Sequence, residues 1–325
     1  MCLCNAVPGF PQHTGPVAWQ LGECREPPCV SLLPKGRMMS RIIYVNGAYK
    51  PYAAAYVHAE DRGFQFADAV YEVIEVRGGN LVDATRHMVR LSRSLSELRM
   101  PAPMSGPVLL HVIGETIRRN RVSDGTVYLQ VSRGAGPREF SFPLNHIRPT
   151  LVVVARAQSS AAIAALADTG IAIQTMPDLR WGRCDIKTVM LLPACLAKDA
   201  ARSAGAREAW FVDAGGFITE GASSNAWVVT ADGALVTRQL DEKILGGVTR
   251  ATALDVAKAE DVRIDVRPFT VAEALRAKEA FITSATNTVM PVIRIDGAVI
   301  GDGRPGPLTL RLRSRFHHIA EISAA

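Results

Sequence analysis

The chain has 325 residues, enough for two ordinary domains or one large one. Apolar residues make up 48% and charged residues 21%, the balance of a folded globular protein rather than a disordered chain. No segment approaches about 18 consecutive apolar residues, so we expect no transmembrane helix, and the first residues lack a secretory signal pattern. The formal charge of +6 comes from 30 dispersed arginines against 7 lysines, which argues against a nucleic-acid-binding surface.

Six cysteines are present, and four of them precede residue 40 at spacings that match no standard zinc pattern. We therefore expect no metal site. The other two, Cys184 and Cys195, stand alone in the main body of the chain. Isolated cysteines are typical of a reducing compartment, so the expected location is the cytoplasm.

Residues 1–39 carry scattered Pro, Gly and Cys without an apolar period. This composition predicts a disordered leader, or a gene start assigned too far upstream, with Met38 or Met39 as the true first residue.

The first regular elements follow Arg41 and define an α+β domain over residues 40–158. Short β-branched strands alternate with tight turns such as Asn46-Gly47, a strong hairpin signal. Two amphipathic helices then carry apolar residues at helical spacing. The predicted strands are 42–45, 70–76, 81–82, 126–132 and 150–155, and the predicted helices are 85–99 and 107–119.

An Ala-rich segment, 157–170, is predicted to be a linker, and residues 159–325 form the second domain. This half again mixes short strands with helices, without the regular βαβ alternation of a doubly wound nucleotide-binding fold. The overall prediction is a two-domain α+β fold. The predicted strands are 171–175, 208–212, 217–219, 225–229, 235–237, 262–266, 280–283 and 289–295, and the predicted helices are 189–203, 248–258 and 307–321.

Four segments carry residue types that packing does not require. Lys187 precedes a predicted helix, where the helix dipole disfavours a cation. Glu220 ends a strand among small polar residues, which suits the approach of a flat ligand. Gly246-Gly247 opens a helix and leaves backbone N–H groups free for an anion. The hydroxyl residues Thr283, Ser284 and Thr286 end another strand, with Ala285 among them, and Arg90, expected on the exposed side of its helix, offers a countercharge.

Together these residues match the chemical needs of pyridoxal 5'-phosphate. The lysine would form the Schiff base, the carboxylate would keep the pyridine nitrogen protonated, and the anion cradle would hold the phosphate.

The same segments resemble the class IV aminotransferases, pyridoxal-phosphate enzymes of fold type IV, and within them most resemble the D-amino acid aminotransferases. The resemblance extends from about residue 42 to the C-terminus. It rests on the segments 60–73 (EDRGFQFADAVYEV), 87–91 (HMVRL), 133–134 (RG), 137–138 (PR), 180–187 (RWGRCDIK) and 219–221 (TEG).

The resemblance implies a role for each of several residues. Lys187 corresponds to the Schiff-base lysine, which also moves the α-proton. Glu220 corresponds to the carboxylate paired with the pyridine nitrogen, and Arg90 to an arginine that binds the phosphate. The further cofactor-binding residues implied are Leu245 against the ring, and Val248, Thr249 and Ser284 at the phosphate.

Substrate binding is implied by three positions. Tyr71 corresponds to a tyrosine that holds the substrate carboxylate, and Arg138 to the arginine of an Arg-x-His motif reaching in from a partner subunit. Here the histidine of that motif is Phe140, which cannot donate a hydrogen bond. A shared site of this kind implies a homodimer.

The expected activity is transamination between a D-amino acid such as D-alanine and a 2-oxo acid such as 2-oxoglutarate or pyruvate. Branched-chain L-amino acid aminotransferases share the cofactor site and are the principal alternative. Aminodeoxychorismate lyase, the (R)-selective amine transaminases and a non-catalytic ligand-binding relative remain further alternatives.

Overall fold

Two β-sheets organise the protein, whose computed structural model describes residues 41–143 and 147–325. The predicted leader at 1–39 lies outside the described residues. None of the helices in these two ranges has the length and apolar composition that a membrane-spanning helix requires. The mixture of helices and sheets confirms the expected α+β class.

The first sheet has seven strands in the order β16-β4-β3-β5-β6-β1-β2. Its strands alternate between a buried and a partly exposed face, as period-2 sequences do. In β3, for example, Val70 and Ile74 are buried while Tyr71 and Val73 are half-buried. The strands are β1 (Ile42–Val45), β2 (Ala48–Pro51), β3 (Ala69–Arg77), β4 (Asn80–Val82), β5 (Gly125–Ser132), β6 (Thr150–Ala157) and, from the C-terminus, β16 (Ile322–Ser323).

Two amphipathic helices cover the buried face of this sheet. They are α2 (Ala84–Glu97), which packs on β3, and α3 (Gly106–Asn120), which packs on β6. Leu91 and Leu95 of α2 and Ile113 of α3 belong to the resulting core. This packing places the polar residues of α2 next to β3.

The second sheet has nine strands in the order β12-β11-β10-β13-β14-β7-β8-β9, with β15 beside β14. Parallel pairs join β7 to β8, β7 to β14 and β11 to β12, and the other pairs are antiparallel. The strands are β7 (Ile171–Pro177), β8 (Glu208–Val212), β9 (Ile218–Gly221), β10 (Asn225–Val229), β11 (Leu235–Thr237), β12 (Ile264–Val266), β13 (Glu279–Ser284), β14 (Thr288–Ile295) and β15 (Ala298–Val299).

The helices around the second sheet bury its apolar faces. The α6 helix (Val248–Ala259) packs on β13 and on α8 (Pro307–Ile319), which also covers β14, whereas α5 (Leu192–Ser203) packs on β8. The remaining helices are α1 (Arg62–Phe66), α4 (Ser160–Thr169), α5 (Leu192–Ser203), α6 (Val248–Ala259), α7 (Val271–Leu275) and α8 (Pro307–Ile319).

The prediction of a linker at 157–170 is wrong, because most of this segment is helix α4. Ser159 caps the helix by accepting a hydrogen bond from the Ala162 N–H at 3.1 Å, and Gly170 ends it. Alanine has the highest helix propensity, so an Ala-rich segment between a cap and a glycine favours a helix. The short helices α1 and α7 and the strands β15 and β16 were not predicted from the sequence.

The helix predicted from residue 189 begins three residues later, at Leu192. Val189 instead donates a backbone hydrogen bond to the Ala69 carbonyl at 3.1 Å. The division into domains 40–158 and 159–325 stays a prediction, and the last strand, β16, pairs with β4 of the first sheet.

Candidate active site

A cavity of about 200 Å³ lies between the two sheets, α2 and the beginning of α6. Its lining comes from segments that are far apart in the sequence. The predicted site residues that line it are Tyr71, Arg90, Lys187, Glu220, Leu245, Val248, Thr249 and Ser284.

Lys187 reaches this cavity because its segment pairs with an open edge of β3. The β4 strand pairs only with Val76 and Arg77 at the far end of β3. At the other end, the Tyr71 N–H donates to the Lys187 carbonyl at 3.0 Å, and Val70 forms a β-bridge with Thr188. These backbone contacts fix the position of Lys187 against the first sheet.

The side chain of Lys187 lies over the ring of Tyr71, with Nζ 4.2 Å from the ring centroid. An ammonium over an aromatic face is attracted by the ring quadrupole. The contact brings together the amine and the phenol for which the family resemblance implies roles in catalysis and in substrate binding.

Glu220, at the end of β9, is buried and accepts three hydrogen bonds. Arg180 Nη1 donates to its Oε1 at 2.5 Å, while the Asn225 side-chain amide and the Leu245 N–H donate to Oε2 at 3.0 and 3.1 Å. Burial raises the pKa of Glu220 to about 7, against the opposing effect of the Arg180 guanidinium. A second cation in the cavity would therefore stabilise the ionised carboxylate.

The Arg180 guanidinium forms salt bridges with two carboxyl groups, those of Glu220 and Asp178. Besides its contact with Glu220, its Nε and Nη2 donate to the two oxygens of Asp178 at 2.9 and 2.8 Å. The guanidinium carbon also lies 4.5 Å from the centroid of the Phe211 ring. One guanidinium shared by two carboxyl groups cannot fully compensate both, so a cationic ligand group at this end of the cavity would favour the ionised form of Glu220.

The cavity also has a site suited to an anion, at the N-terminus of α6. Gly247 is the N-cap residue and no side chain caps the helix, so its first N–H groups stay available, with the helix dipole favouring negative charge. A Cβ on Gly247 would lie 2.0 Å from Asn225 Oδ1, so only glycine fits here. The Thr249 hydroxyl lies at the same helix terminus.

The turn between β13 and β14 adds further hydroxyls to the cavity wall. Ser284 Oγ and Thr286 Oγ1 are 3.2 Å apart, and the Asn287 amide donates to both, at 3.2 and 3.3 Å. Ala285, which lies between them in the sequence, also lines the cavity, but its side chain has no polar atom.

Arg90 is held in the cavity wall by a buried carboxylate. Its Nε and Nη2 donate to the two oxygens of Glu72 at 2.8 and 2.6 Å, and Nη1 donates to the Gly246 carbonyl at 3.1 Å. The expectation of an exposed Arg90 is wrong, since its side chain is only 11% exposed. The other guanidinium N–H groups remain available to an anion.

Glu72 is shared with His87, whose ring is buried and lines the cavity. Burial lowers the pKa of His87, so the ring is neutral at pH 7 and its Nδ1–H donates to Glu72 Oε2 at 2.8 Å. Burial also disfavours the charged form of Glu72, but Arg90 and His87 outweigh it and lower the pKa of Glu72 to about 2. The carboxylate is thus ionised at neutral pH.

The sequence analysis gave no role to four residues of the site: Glu72, His87, Arg180 and Asn225. One signal was available for Glu72, because the alternation of β3 places it on the same face as Val70 and Ile74. A carboxylate on an apolar face requires a buried partner, and Arg90 is that partner.

Arg138 and Phe140 do not line the cavity of their own chain. Both lie on the exposed loop after β5, and Phe140 is 79% exposed. The Phe140 ring contacts Phe66 edge to face, with centroids 5.5 Å apart, and the Arg138 guanidinium lies over the same Phe66 ring at 5.3 Å. Arg62 holds this loop by donating to the Glu139 carbonyl at 2.6 Å.

The part of the chain that the structure describes contains no group of three His, Cys, Asp or Glu side chains arranged to hold a metal ion. Cys184 and Cys195 are both unpaired thiols. Burial raises the pKa of Cys184 to about 11, and its Sγ donates to the Trp181 carbonyl at 3.2 Å.

Comparison with known families identifies the class of protein. The family model for amino-transferase class IV matches residues 69–295, which include most of both sheets and most of the cavity lining. The chain belongs to the class IV aminotransferases, and the resemblance seen in its sequence is thereby confirmed.

The similar relatives include two bacterial D-alanine aminotransferases. The chain is 36% identical to the enzyme of Staphylococcus haemolyticus over 279 residues, which cover 86% of this chain and 98% of the relative. It is 35% identical to the enzyme of Listeria monocytogenes over 272 residues, which cover 83% of this chain and 92% of the relative.

Solved structures confirm the fold. The branched-chain amino acid aminotransferase of Escherichia coli superposes with a TM-score of 0.79 at 23% identity, covering 86% of this chain and 95% of that one. The branched-chain aminotransferase of the archaeon Thermoproteus uzoniensis, solved with norvaline, gives a TM-score of 0.75 at 23% identity, covering 86% and 94%.

The buried Glu72 predicts a pH-dependent stability. Its pKa is lower in the folded chain than in the unfolded chain, so its stabilising effect is complete above about pH 4.5 and is lost as the pH falls toward 2. Glu72→Gln should lower the free energy of unfolding at pH 7 by about 3 kcal/mol. In urea unfolding between pH 7 and 3, the difference from wild type should shrink below pH 4.5.

Glu115→Gln is the matched control for this prediction. Glu115 also accepts hydrogen bonds from two arginines, Arg118 and Arg119, but at the solvent-exposed surface of α3. The Glu115→Gln substitution should lower the free energy of unfolding only slightly. This difference from wild type should disappear in 1 M salt, because solvent and salt screen exposed ion pairs. Equal effects of the two variants in high salt would contradict a buried counterion role for Glu72.

Proposed function

We propose that this protein is a D-amino acid aminotransferase, which moves the amino group of D-alanine or a similar D-amino acid to a 2-oxo acid such as 2-oxoglutarate. The observation that carries the proposal is a single cavity lined by Lys187 and Glu220, with an anion site at the start of α6. It is supported by D-alanine aminotransferases that align with this chain over nearly their whole length.

The cofactor we propose is pyridoxal 5'-phosphate, and the residues present fit it. The carboxylate-rich end at Glu220 suits a protonated ring nitrogen, and the uncapped start of α6 suits a phosphate. The cofactor, when bound, supplies the carbonyl that accepts the amino group and a ring that stabilises negative charge at the substrate α-carbon.

Lys187 is proposed to be the catalytic residue. Its amine would hold the cofactor covalently between turnovers, and once the substrate amine had displaced it, the free Nζ would take the α-proton of the substrate and later return a proton. The backbone pairing of this segment with β3 holds the amine over Tyr71 during these steps. Positioning of this kind is worth several powers of ten in rate.

Glu220 is proposed to pair with the ring nitrogen. Arg180 and the Asn225 amide hold its carboxyl group in place from the other side, so a protonated ring nitrogen would meet an already oriented carboxyl group and would stabilise its ionised form. Leu245 contributes its side chain to the same cavity and is proposed to pack on the ring.

The phosphate is proposed to bind at the opposite end. Arg90 contributes N–H groups that Glu72 leaves unused, and α6 contributes the N–H groups of Val248 and Thr249. Ser284 and Thr286 complete the donors.

The substrate carboxylate is proposed to bind between Tyr71 and Arg138. Because Arg138 lies outside its own cavity, this requires a homodimer in which Arg138 and Phe140 reach the cavity of the partner subunit. Phe140 would then offer an apolar surface without a hydrogen-bond donor. The cytoplasmic location stays a prediction from the cysteine pattern.

A branched-chain L-amino acid aminotransferase is the second candidate, favoured by the fold of solved structures that bear that name. Those two structures are 23% identical to this chain, below the 34–36% of the D-alanine aminotransferases. Identity over a similar length therefore favours the D-amino acid assignment.

A half-reaction tests the proposed function directly. Purified protein loaded with pyridoxal phosphate is mixed separately with D-alanine and with L-leucine, and the visible spectrum of the cofactor is followed. We expect D-alanine alone to convert it to the pyridoxamine form. Conversion by L-leucine alone would assign the protein to the branched-chain group, and no conversion by either would contradict both assignments.

Lys187→Ala tests the catalytic role. Turnover should fall by roughly 10⁴-fold or more, because both the covalent link and the proton carrier are lost. Binding of pyridoxal phosphate through the anion site should persist in equilibrium dialysis. Lys258→Ala, an exposed lysine on α6, is the control and should keep wild-type turnover. A fully active Lys187→Ala variant would overturn the assignment.

Arg138→Ala tests the shared site. The KM for D-alanine should rise about 30-fold, as expected for a lost carboxylate–guanidinium pair, with little change in cofactor affinity. Mixing this variant with Lys187→Ala should restore roughly a quarter of wild-type activity, since about half of the dimers then carry one intact site. No recovery on mixing would show that Arg138 does not serve a partner. Arg156→Ala, also exposed, should leave KM unchanged.

A further inference from the structure

The turn between β13 and β14 contains a residue in an unfavourable backbone conformation. Ser284 pairs with Thr288 across the turn, and Thr288 has φ +58° in the left-handed region. Hairpin turns usually place glycine or asparagine at such a position. A β-branched residue there is strained, so neighbouring groups must hold it.

Arg313, on α8, makes contacts that can hold this conformation. Its Nη1 donates to the Asn287 carbonyl at 2.7 Å and to the Val289 carbonyl at 2.6 Å. These carbonyls flank Thr288 on its two sides. A single guanidinium group therefore binds the peptide unit before Thr288, which sets its φ angle, and the peptide unit after Val289, and so restrains the backbone on both sides of the strained residue.

The conformation of this turn determines where its hydroxyl groups lie. Ser284, Thr286 and Asn287 form a closed set of hydrogen bonds, and Ser284 and Thr286 line the cavity. The Asn287 carbonyl that Arg313 binds belongs to the same residue whose side-chain amide binds both hydroxyls. A rotation at Thr288 would thus move the donors at this end of the cavity.

The α8 helix does not depend on Arg313 for its own attachment. Glu279 of β13 accepts hydrogen bonds from the Leu308 and Thr309 N–H groups at 3.1 and 2.8 Å, which anchors the start of the helix. Leu312 and Phe316 are fully buried in the core beside it. Removal of the Arg313 side chain should therefore leave the helix in place.

We propose that Arg313 is a positioning residue for the phosphate end of the cofactor site: it holds Thr288 in its strained conformation and so keeps Ser284 and Thr286 aimed into the cavity. The inference rests on the proposed function, because it takes this end of the cavity to bind the phosphate of pyridoxal phosphate. Arg313 itself does not line the cavity and acts only through the turn.

The test compares binding of pyridoxal phosphate with binding of pyridoxal, which lacks the phosphate, by equilibrium titration of the cofactor-free full-length protein. Arg313→Met should raise the Kd for pyridoxal phosphate about tenfold, the effect of losing one or two charge-assisted hydrogen bonds, and the Kd for pyridoxal less than about twofold. Arg313→Lys keeps a donor for the two carbonyls and should stay within about threefold of wild type.

A second substitution, Thr288→Gly, tests whether Arg313 acts by holding the strained backbone of Thr288 or only by packing against the turn. In a Thr288→Gly background the left-handed conformation is free of steric cost, so Arg313→Met should raise the Kd for pyridoxal phosphate by less than about threefold. Arg315→Met is the matched control, since Arg315 lies on the same helix and pairs with Glu260 at 3.0 Å. It should change neither Kd.

Equal losses for the two ligands, or an equal effect of Arg313→Met with Thr288 and with Gly at that position, would overturn the inference. Should Arg313→Met fail to fold, Arg313→Gln, which is polar but too short to reach the two carbonyls, is compared with and without Thr288→Gly in its place. A wild-type protein that binds pyridoxal phosphate no better than pyridoxal would instead contradict the proposed phosphate site itself.

Discussion

The open edge of β3 is the constraint on which the site depends. Because β4 covers only the far end of that strand, the backbone of residues 69–71 pairs instead with the segment that carries Lys187. Main-chain hydrogen bonds of this kind are obligatory for buried peptide groups, so they fix the segment regardless of its side chains. They bring an amine from the second half of the chain onto a strand of the first sheet.

The charged side chains that line the cavity are also fixed by contacts within the protein, because each is paired with an oppositely charged side chain. Glu72 holds Arg90 at the anion end, and Arg180 holds Glu220 at the other end. A buried charge without a partner is costly, so Arg90 and His87 keep Glu72 ionised, whereas Arg180 orients Glu220 but burial still raises the pKa of that carboxyl to about 7. The cavity is consequently polarised, with cationic donors at one end and carboxylates at the other, which matches a ligand with a phosphate and a protonated ring nitrogen.

Sequence reasoning located most regular elements, and most of the site residues it predicted line the cavity, but it failed where the local composition of a segment had two interpretations. The Ala-rich segment after β6 was interpreted as a linker and is helix α4, because capping by Ser159 and Gly170 outweighed the absence of a strong apolar face. Arg90 was expected in solvent and is mostly buried, because its partner Glu72 lies on another element. Arg180 lies in a segment that carried the family resemblance, but neither it nor Asn225 received a role from the sequence, since each acts through Glu220.

The amino-acid sequence by itself determined the α+β class, the order of the elements and the family, because periodicity and motif spacing are local properties of the chain. It also identified Lys187 and Glu220 as the residues to examine, since their chemistry is unusual for their positions. Only the tertiary structure decided which charges pair, that Arg138 and Phe140 lie outside their own cavity, and that Arg313 supports the turn at Thr288. Those facts depend on contacts between residues distant in the sequence, which no local pattern records.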